Sequence, residues 1–452
     1  MARLFGTDGV RGIANRDLSC ELAYQIGAVG AYVLTNEVHS PRILIGMDTR
    51  KSGPMLGAAL SAGVCSVGGD VLDVGIMPTP AMAYLVRLYE ADAAVVISAS
   101  HNPMEYNGIK WFDKNGFKLS DEIEDRIEAI IKSGEAIPRP EGREVGRIIS
   151  AVRAKKDYCD YLVEQSEFRF EGLRIVLDCA NGATSFIAKE VFERLGAEVI
   201  AKSCAPDGIN INDHCGSTHP ERLQEMVVNY GADLGFAFDG DADRLISCDE
   251  YGNIVDGDQA MGILALSMQS HGTLEKNTLV LTVMSNLGLK NALKEAGINI
   301  VETKVGDRYV LENMLQNGYN VGGEQSGHII LINKNTTGDG MMSAIALLGV
   351  VAETKKKLSK LAARIPQYPQ VLVNVTVENE RKAEAIADAE LTALTKEIES
   401  KLGKNGRVLI RASGTEPLVR IMLEGLDEKE ILDLALSLAH IIVRNHNGKI
   451  RT

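Results

Sequence analysis

The order strand, helix, strand, helix, strand recurs three times along this chain, and no other feature restricts its fold as strongly. The first copy runs Arg42-Ile-Leu-Ile-Gly-Met-Asp48 as a strand, a Gly/Ala-rich helix over 53–68, and Asp70-Val-Leu-Asp-Val74; a second helix leads to the apolar run Ala93-Ala-Val-Val-Ile97. The second copy runs Leu173-Arg-Ile-Val-Leu-Asp178, a helix near 184–195, Ala197-Glu-Val-Ile-Ala201, a helix over 219–230 and Leu234-Gly-Phe-Ala-Phe238. The third runs Thr278-Leu-Val-Leu-Thr-Val283, a helix over 286–296, Ile298-Asn-Ile-Val301, a helix near 307–316 and Tyr319-Asn-Val-Gly322. Such alternation builds a mostly parallel sheet with helices on both faces. Three copies predict three similar, mixed or mostly parallel α/β sandwich domains. Each copy's third strand ends in a different polar loop: Ser100-His101-Asn102, Asp239-Gly-Asp-Ala-Asp-Arg244 and Gly323-Glu-Gln-Ser-Gly-His328. Corresponding loops of related domains are expected to converge on one central cleft, and binding pockets favour domain boundaries.

The remainder of the chain has a different pattern. Val371-Leu-Val-Asn-Val-Thr-Val377 alternates like a half-buried strand, a charged helix is expected over 379–402, two strands flank Arg411-Ala-Ser-Gly-Thr-Glu-Pro417, and a helix follows over 427–445. This predicts a small C-terminal α+β domain. Linkers are expected at 133–150 and 365–370, where Pro, Gly and charge collect. The expected domains are therefore 1–150, 151–255, 256–368 and 369–452, in keeping with a 452-residue chain too long for one core.

Charge and cysteines narrow the function. A formal net charge of −13 weighs against nucleic-acid binding driven by a basic surface. An anionic substrate must then be drawn by local arginines and backbone amides. The seven cysteines are scattered with no Cys-x-x-Cys pair, which indicates reduced thiols rather than a disulfide framework or a zinc site. There is no apolar signal core at the N-terminus and no apolar run of membrane-spanning length. A soluble, cytoplasmic protein without a membrane partner is the expectation.

The loops carry the chemistry. Ser100 stands just beyond a buried strand, at the sheet edge where ligands bind in open α/β folds, and is a candidate nucleophile. It lacks the flanking glycines of a hydrolase nucleophile turn, and the adjacent His101 is not a base by adjacency alone. A phosphorylated serine suits the surroundings better, with Lys110 and His101 nearby. Asp239, Asp241 and Asp243 crowd three carboxylates that repel one another unless a cation sits among them, and hard oxygen donors suit Mg²⁺ or Ca²⁺. Glu250 takes the twelfth position of an EF-hand count, but Arg244 occupies the place where that loop needs glycine. An aspartyl-phosphate mechanism is open on spacing alone. Arg244 is a candidate for phosphoryl oxygens. Glu324 and Ser326 are candidates for sugar hydroxyls. Arg411, Ser413, Gly414, Thr415 and Arg420 form a candidate phosphate nest of backbone amides, hydroxyls and bidentate arginines.

Taken together, Thr7-Asp-Gly-Val-Arg11, Ser98-Ala-Ser-His-Asn-Pro103, Asn107-Gly-Ile-Lys110, Asp239-Gly-Asp-Ala-Asp-Arg244, Gly323-Glu-Gln-Ser-Gly-His328 and Arg411-Ala-Ser-Gly-Thr-Glu-Pro417 resemble the motifs of the α-D-phosphohexomutase superfamily, over essentially the whole chain. The segments Phe5–Gly12 and Val305–Val310, with Gln325, resemble the bacterial branch acting on glucosamine phosphates. Ser98 stands where the family often has threonine, and keeps the hydroxyl. The resemblance implies four domains around a central cleft, phosphorylation of Ser100, and one Mg²⁺ held by Asp239, Asp241 and Asp243 with Ser100. It implies interconversion of glucosamine 6-phosphate and glucosamine 1-phosphate through a glucosamine 1,6-bisphosphate intermediate and activator, on the way to UDP-N-acetylglucosamine. Ser100, His101, Lys110 and Arg244 are the implied catalytic residues. Arg11, Glu324, Ser326, His328 and the 411–420 residues are the implied substrate contacts, and a homodimer is implied. Competing readings are a mutase for mannose or glucose phosphates, a non-catalytic sugar-phosphate sensor, and a serine hydrolase.

Overall fold

The structure is a computed structural model that describes residues 3–6, 8–34, 40–413 and 416–451. They form two compact units: Met1–Met284 with Ile298–Arg364, and Ser285–Gly297 with Ile365–Thr452.

The first unit contains three sheets that repeat one topology. The first is made by β1 (Val10–Ile13), β2 (Arg42–Met47), β3 (Asp70–Ile76), β4 (Ala93–Ile97), β5 (Tyr106–Asp113) and β6 (Ile148–Ser150), in the order β1-β5-β4-β2-β3-β6. The second is made by β7 (Arg174–Asp178), β8 (Glu198–Lys202), β9 (Leu234–Phe238), β10 (Leu245–Asp249) and β11 (Ile254–Val255), in the order β11-β10-β9-β7-β8. The third is made by β12 (Thr278–Thr282), β13 (Asn299–Thr303), β14 (Val321–Gly323) and β15 (Ile329–Leu331), in the order β13-β12-β14-β15. Each sheet has a parallel trio in which the third strand of the sequence repeat pairs with the first, and the first with the second. Each third strand then turns back into an antiparallel partner, β5, β10 or β15.

Those return strands make the sheets mixed, and they fix the polar loops. A loop caught between two paired strands has both ends anchored. The strands entering the loops are buried throughout: all five residues of β4 and all five of β9. Continuous apolar runs of this kind belong to strands covered on both faces. The expected linker at 133–150 also contributes structure, because Ile148–Ser150 extends the first sheet by pairing parallel with β3.

The second unit is a four-stranded antiparallel sheet of β16 (Gln370–Thr376), β17 (Arg407–Ala412), β18 (Leu418–Glu424) and β19 (Lys449–Arg451), in the order β17-β18-β16-β19. The helix Glu428–His446 packs on it through Ile431, Ala435, Leu438 and Ile442. The single helix expected over 379–402 is interrupted: Lys382–Ile386 ends, and Asp388 caps a new helix, Ala389–Leu402, by accepting from Leu391 N at 3.0 Å. The helix Leu287–Glu295, assigned by the repeat to the third α/β copy, belongs to this second unit. Asn286 holds Tyr368 from both sides, donating to its carbonyl at 2.9 Å and accepting from its amide at 3.0 Å. Gly288 allows the chain to pass there, since a Cβ at that position would stand 1.7 Å from the Pro366 carbonyl oxygen.

Candidate active site

Ser100 ends the first parallel trio in a left-handed backbone conformation, φ 52°, that costs a non-glycine residue about 1–2 kcal/mol. Its surroundings over-determine that geometry. Ser98 Oγ accepts from the Ser100 amide at 2.9 Å and donates to Asp48 Oδ2 at 2.7 Å. The buried Arg50 guanidinium donates to the carbonyls of Ser100 and Asn102 at 2.9 Å each and of Tyr106 at 3.0 Å, and pairs with Asp48 at 2.8 Å. Asn212, from the second domain, donates to the same Ser100 and Asn102 carbonyls at 2.8 and 3.1 Å. Sequence reasoning did not find Arg50 or Asn212. A signal was available for the first: Asp48-Thr49-Arg50 leaves β2, the neighbour of β4, at the same sheet edge, where charged residues have reason to be buried.

The hydroxyl of Ser100 is aimed at the second loop. It donates to Asp239 Oδ2, and His101 Nδ1 lies 3.3 Å from it. The backbones of the two loops meet at Gly240, where a Cβ would stand 2.7 Å from the Ser100 carbonyl oxygen and 2.7 Å from Ile211 Cδ1. Glycine is required there for close approach. Ala242, in the same turn, is left-handed at φ 61°.

Asp239, Asp241 and Asp243 are all buried, and each offers an oxygen within 4.8 Å of the others. Oδ1 of Asp241 and Oδ1 of Asp243 have no hydrogen-bond partner. Burial and the charges of Asp243 and Asp241 push Asp239 well above the ordinary carboxylate range. Asp243 is held below it against burial, by His328, Lys110 and Arg244. Clustered buried carboxylate oxygens with unused lone pairs fit a divalent metal ion, which removes both the repulsion and the orphaned acceptors. Glu250 is not part of this cluster and binds Ser359, accepting from its hydroxyl at 2.6 Å.

Cations line the cluster. Lys110 Nζ is 2.9 Å from Asp241 Oδ2 and 2.9 Å from Asp8 Oδ2. Burial opposes its charge, but Asp241 and Asp8 prevail and raise its pKa. Arg11 pairs with Asp8, and Arg244 Nε is 3.8 Å from Asp243. His101 is lowered to about 4 by burial and by Arg244 and Arg11, which leaves it neutral at pH 7. Thr79, absent from the sequence reading, donates to Asp241 Oδ2 at 2.6 Å.

The third loop abuts the three-aspartate loop directly. Leu245 N donates to the Gly327 carbonyl at 3.0 Å, and His328 Nδ1 is 3.6 Å from Asp243 Oδ2. The Gly338 amide donates to His328 Nε2 at 3.1 Å, which assigns the ring proton to Nδ1. Glu324 Oε1 accepts from Gly306 N at 2.9 Å, and Ser326 Oγ is buried with no partner. Helix N-caps carry these loops: Asp256, which starts Gly257–Ser270, accepts from Gln325 at 3.3 Å, and Asp339 starts Gly340–Thr354 while Gly340 N donates to the Ala242 carbonyl at 2.9 Å.

In the second unit, Arg411 and Arg420 stand opposite one another on β17 and β18. Burial and the neighbouring Arg420 charge lower Arg411. Arg420 is paired with Glu416 at 2.7 Å, and its Nε is buried without a partner. Lys382, not singled out from sequence, donates to the carbonyls of Ser413 and Glu416 at 2.7 and 3.0 Å. Two opposed like charges beside a turn suit an anion. Gly414 and Thr415 of the expected nest lie outside the described residues, as does Thr7.

A triplicated mixed α/β unit, a buried serine on a three-aspartate loop and a separate small α+β unit together define a class, and comparison with known proteins gives the same one. Four descriptions match in order: phosphoglucomutase/phosphomannomutase alpha/beta/alpha domain I over residues 2–137, domain II over 156–252, domain III over 256–368 and the C-terminal domain over 372–441. The chain belongs to this family of α-D-phosphohexomutases. Within it, the phosphoglucosamine mutase of Thermoanaerobacter sp. (strain X514) is 55% identical over 447 residues, covering 99% of this chain and 100% of the relative. The phosphoglucosamine mutase of Clostridioides difficile (strain 630) is 55% identical over 443 residues, covering 98% and 99%. In fold, the chain matches a phosphoglucomutase/phosphomannomutase family protein from Burkholderia thailandensis with a TM-score of 0.84 at 23% identity, covering 100% and 99%. It also matches Aspergillus fumigatus N-acetylphosphoglucosamine mutase, in complex with GlcNAc-6P and magnesium, with a TM-score of 0.68 at 17% identity, covering 97% and 95%. Among the described residues no helix is long and apolar enough to cross a membrane.

Proposed function

We propose that this chain interconverts glucosamine 6-phosphate and glucosamine 1-phosphate, and that Ser100 carries the phosphoryl group. The observation that carries the reading is the Ser100 hydroxyl on Asp239, inside a cluster of buried carboxylates whose repulsion a divalent cation would relieve. The substrate follows the relatives: 55% identity over nearly the whole length joins the chain to phosphoglucosamine mutases.

Phosphorylated Ser100 donates to the free hydroxyl of the bound sugar phosphate. The bond from Ser100 Oγ to phosphorus breaks as a bond from the sugar oxygen to phosphorus forms. Asp239, Asp241, Asp243 and phosphorylated Ser100 would hold one Mg²⁺ ion, which would supply Lewis-acid neutralisation of charge on the serine oxygen. The two basic side chains at the site divide the work. Neutral His101 is in the state that accepts the sugar hydroxyl's proton. Lys110, kept charged by Asp241 and Asp8, moves no proton and stabilises the developing negative charge. Arg244 and Arg11 face the transferring phosphoryl group, and Glu324, Ser326 and His328 hold the ring. Arg411, Ser413, Gly414, Thr415 and Arg420 take the phosphate that is not reacting. The glucosamine 1,6-bisphosphate then reverses its orientation, and Ser100 takes back the other phosphate, so the same bisphosphate serves as activator. The product feeds UDP-N-acetylglucosamine synthesis in the cytoplasm.

Steady-state turnover with glucosamine, mannose and glucose 6-phosphates in Mg²⁺ tests the substrate, with intact-mass detection of one phosphate that Ser100→Ala removes. Preference for mannose or glucose phosphates overturns the glucosamine assignment, and turnover by Ser100→Ala in the presence of bisphosphate overturns the nucleophile.

A further inference from the structure

Lys118 was not marked by any motif, yet it joins two of the site's loops. The turn after β5 delivers it: Asp113 Oδ1 accepts from the amides of Asn115 and Phe117 at 2.9 Å each, and the reversal sets Lys118 opposite Phe112. Its ammonium lies 2.6 Å from Asp8 Oδ1 and 2.5 Å from Asp307 Oδ2. The other oxygen of Asp8 is 2.9 Å from Lys110, and Asp8 also pairs with Arg11. Asp307 Oδ2 is 3.6 Å from His328 Nε2. A chain of ion pairs results, Asp241, Lys110, Asp8, Lys118, Asp307, and it ends beside the His328 ring, whose Nδ1 faces Asp243. It leaves the three-aspartate loop at one carboxylate and ends next to the ring that faces another.

We propose that Lys118 is a positioning residue for phosphoryl transfer, holding Asp8 between Lys110 and Arg11 and Asp307 beside His328. The inference rests on the mutase reading above. The balance of charge gives the reason. Asp8 has three cations around it, and Lys118 occupies the oxygen that Lys110 does not. With Lys118 gone, both Asp8 oxygens compete for Lys110 and Arg11, drawing Lys110 from Asp241 and Arg11 from the phosphoryl group. Asp307, with no other ion-pair partner of comparable reach among the described residues, is left an unpaired carboxylate beside the acceptor nitrogen of the His328 ring, and the two push apart. Both flanks of the aspartate loop then shift. Burial opposes the Lys118 charge, but Asp307 and Asp8 raise its pKa, so it stays charged and moves no proton itself. Its effect is geometric.

The test uses the full chain with Lys118→Met, Lys118→Arg, Asp307→Asn and the Lys118→Met/Asp307→Asn pair, each checked by thermal melting. Interactions that matter only in the transition state lower kcat without raising KM, so Lys118→Met is expected to lower kcat by about 30-fold or more with KM within about 3-fold. Lys118→Arg, which keeps the charge between both carboxylates, is expected to return kcat to within about 5-fold of wild type. The double variant is expected to lose less than the product of the single losses, because both singles break one contact. Unchanged kcat in Lys118→Met, no rescue by Lys118→Arg, or strictly multiplicative losses each overturn the proposal. If Lys118→Met does not fold, Asp307→Asn decides: a fall in kcat supports the role and an unchanged kcat overturns it. Wild type is assayed beside the variants on glucosamine, glucose and mannose phosphates. Failure on the first alone refutes the substrate reading, and the variant ratios are read on the sugar that reacts. If no sugar reacts, the rate of Ser100 phosphorylation by glucose 1,6-bisphosphate, followed by intact mass, carries the same comparison.

Discussion

Replacing Arg50 by methionine should separate what holds the serine loop together from what makes it work. Arg50 is buried, and its guanidinium serves the carbonyls of Ser100, Asn102, Pro103 and Tyr106 as well as Asp48. Methionine fills much of the volume and offers none of these donors. Breaking a buried ion pair from one side costs about 3–5 kcal/mol, because the remaining charge is stranded. Asp48 keeps its bonds from Ser98 Oγ and the residue-50 amide, which places the expected loss at the lower end, about 3 kcal/mol. The loop carbonyls lose their fixed donor, and Ser100 is released from φ 52° toward the ordinary extended region. A displacement on the order of 1 Å at a reacting group costs about 100-fold in rate. Adding Asp48→Asn removes the stranded charge but restores no donor to the carbonyls. The double variant should therefore recover about 2 kcal/mol of stability over Arg50→Met alone while turnover stays low, because neutralising a buried ion costs less than leaving it unpaired. Acid should do the same for Arg50→Met. Burial already raises Asp48 above its usual range. The native state binds that proton more tightly than the unfolded chain, so stability falls as pH rises above the unfolded carboxylate pKa, and more widely once Arg50 is gone. Thermal melting between about pH 4 and pH 8, spanning the unfolded carboxylate pKa and neutrality, and steady-state turnover measure the two effects. Recovery of activity along with stability in the double variant, or Arg50→Met within about 3-fold of wild-type turnover, would refute the assignment of Arg50 to loop geometry.

Two further perturbations address the loop contact and the metal. Gly240→Ala should lower turnover by about 100-fold or more at nearly unchanged fold, because its Cβ would press on the Ser100 carbonyl oxygen and displace the loop; wild-type rates in this variant count against the loop contact. Chelation should abolish turnover, and Mg²⁺ should restore it and raise the melting temperature, with stabilisation of about 2.7 kcal/mol at 100 times the dissociation constant. In the metal-free protein Asp239→Asn should be neutral or stabilising, since it removes the carboxylate whose pKa burial and repulsion raise. By the same sign, metal-free wild type should lose stability as pH rises through that range, and a melting temperature independent of both pH and Mg²⁺ counts against the cluster as a metal site.

The three polar loops were legible because each interrupts an apolar strand of a repeated pattern. Ser100 and the three aspartates announce themselves where β4 and β9 stop, and the repeat places them at equivalent positions. The residues that hold them were not legible in that way. Arg50 acts on a loop fifty residues later, Asn212 reaches Ser100 across 112 positions, and Lys118 meets Asp307 across 189. Their partners are backbone carbonyls or distant carboxylates, which leave no periodic trace in the sequence. The return strands were missed for a local reason: β5 carries Asn107, Gly108 and Lys110 among its apolar residues, and β15 has only three residues. The helix Leu287–Glu295 follows the repeat in sequence and lies within the third matched domain, yet its first turn bonds to C-terminal residues, Asn286 to Tyr368 and Leu287 to Glu424, contacts that periodicity does not mark.

The passage of Ser285–Gly297 into the second unit has a consequence during synthesis. This helix is made well before the strands it belongs with: β16 begins at Gln370. At about 5–20 residues per second the delay is on the order of ten seconds. Through that interval Leu289 and Leu293, fully buried in the finished protein, wait for the strands of the second unit to be made. A fragment starting at Ile365 would meet the opposite problem, with a buried Glu424 deprived of the Leu287 amide at 3.1 Å. A contiguous stretch beginning at Ile365 therefore leaves out thirteen residues, Ser285–Gly297, that group with it in the finished protein.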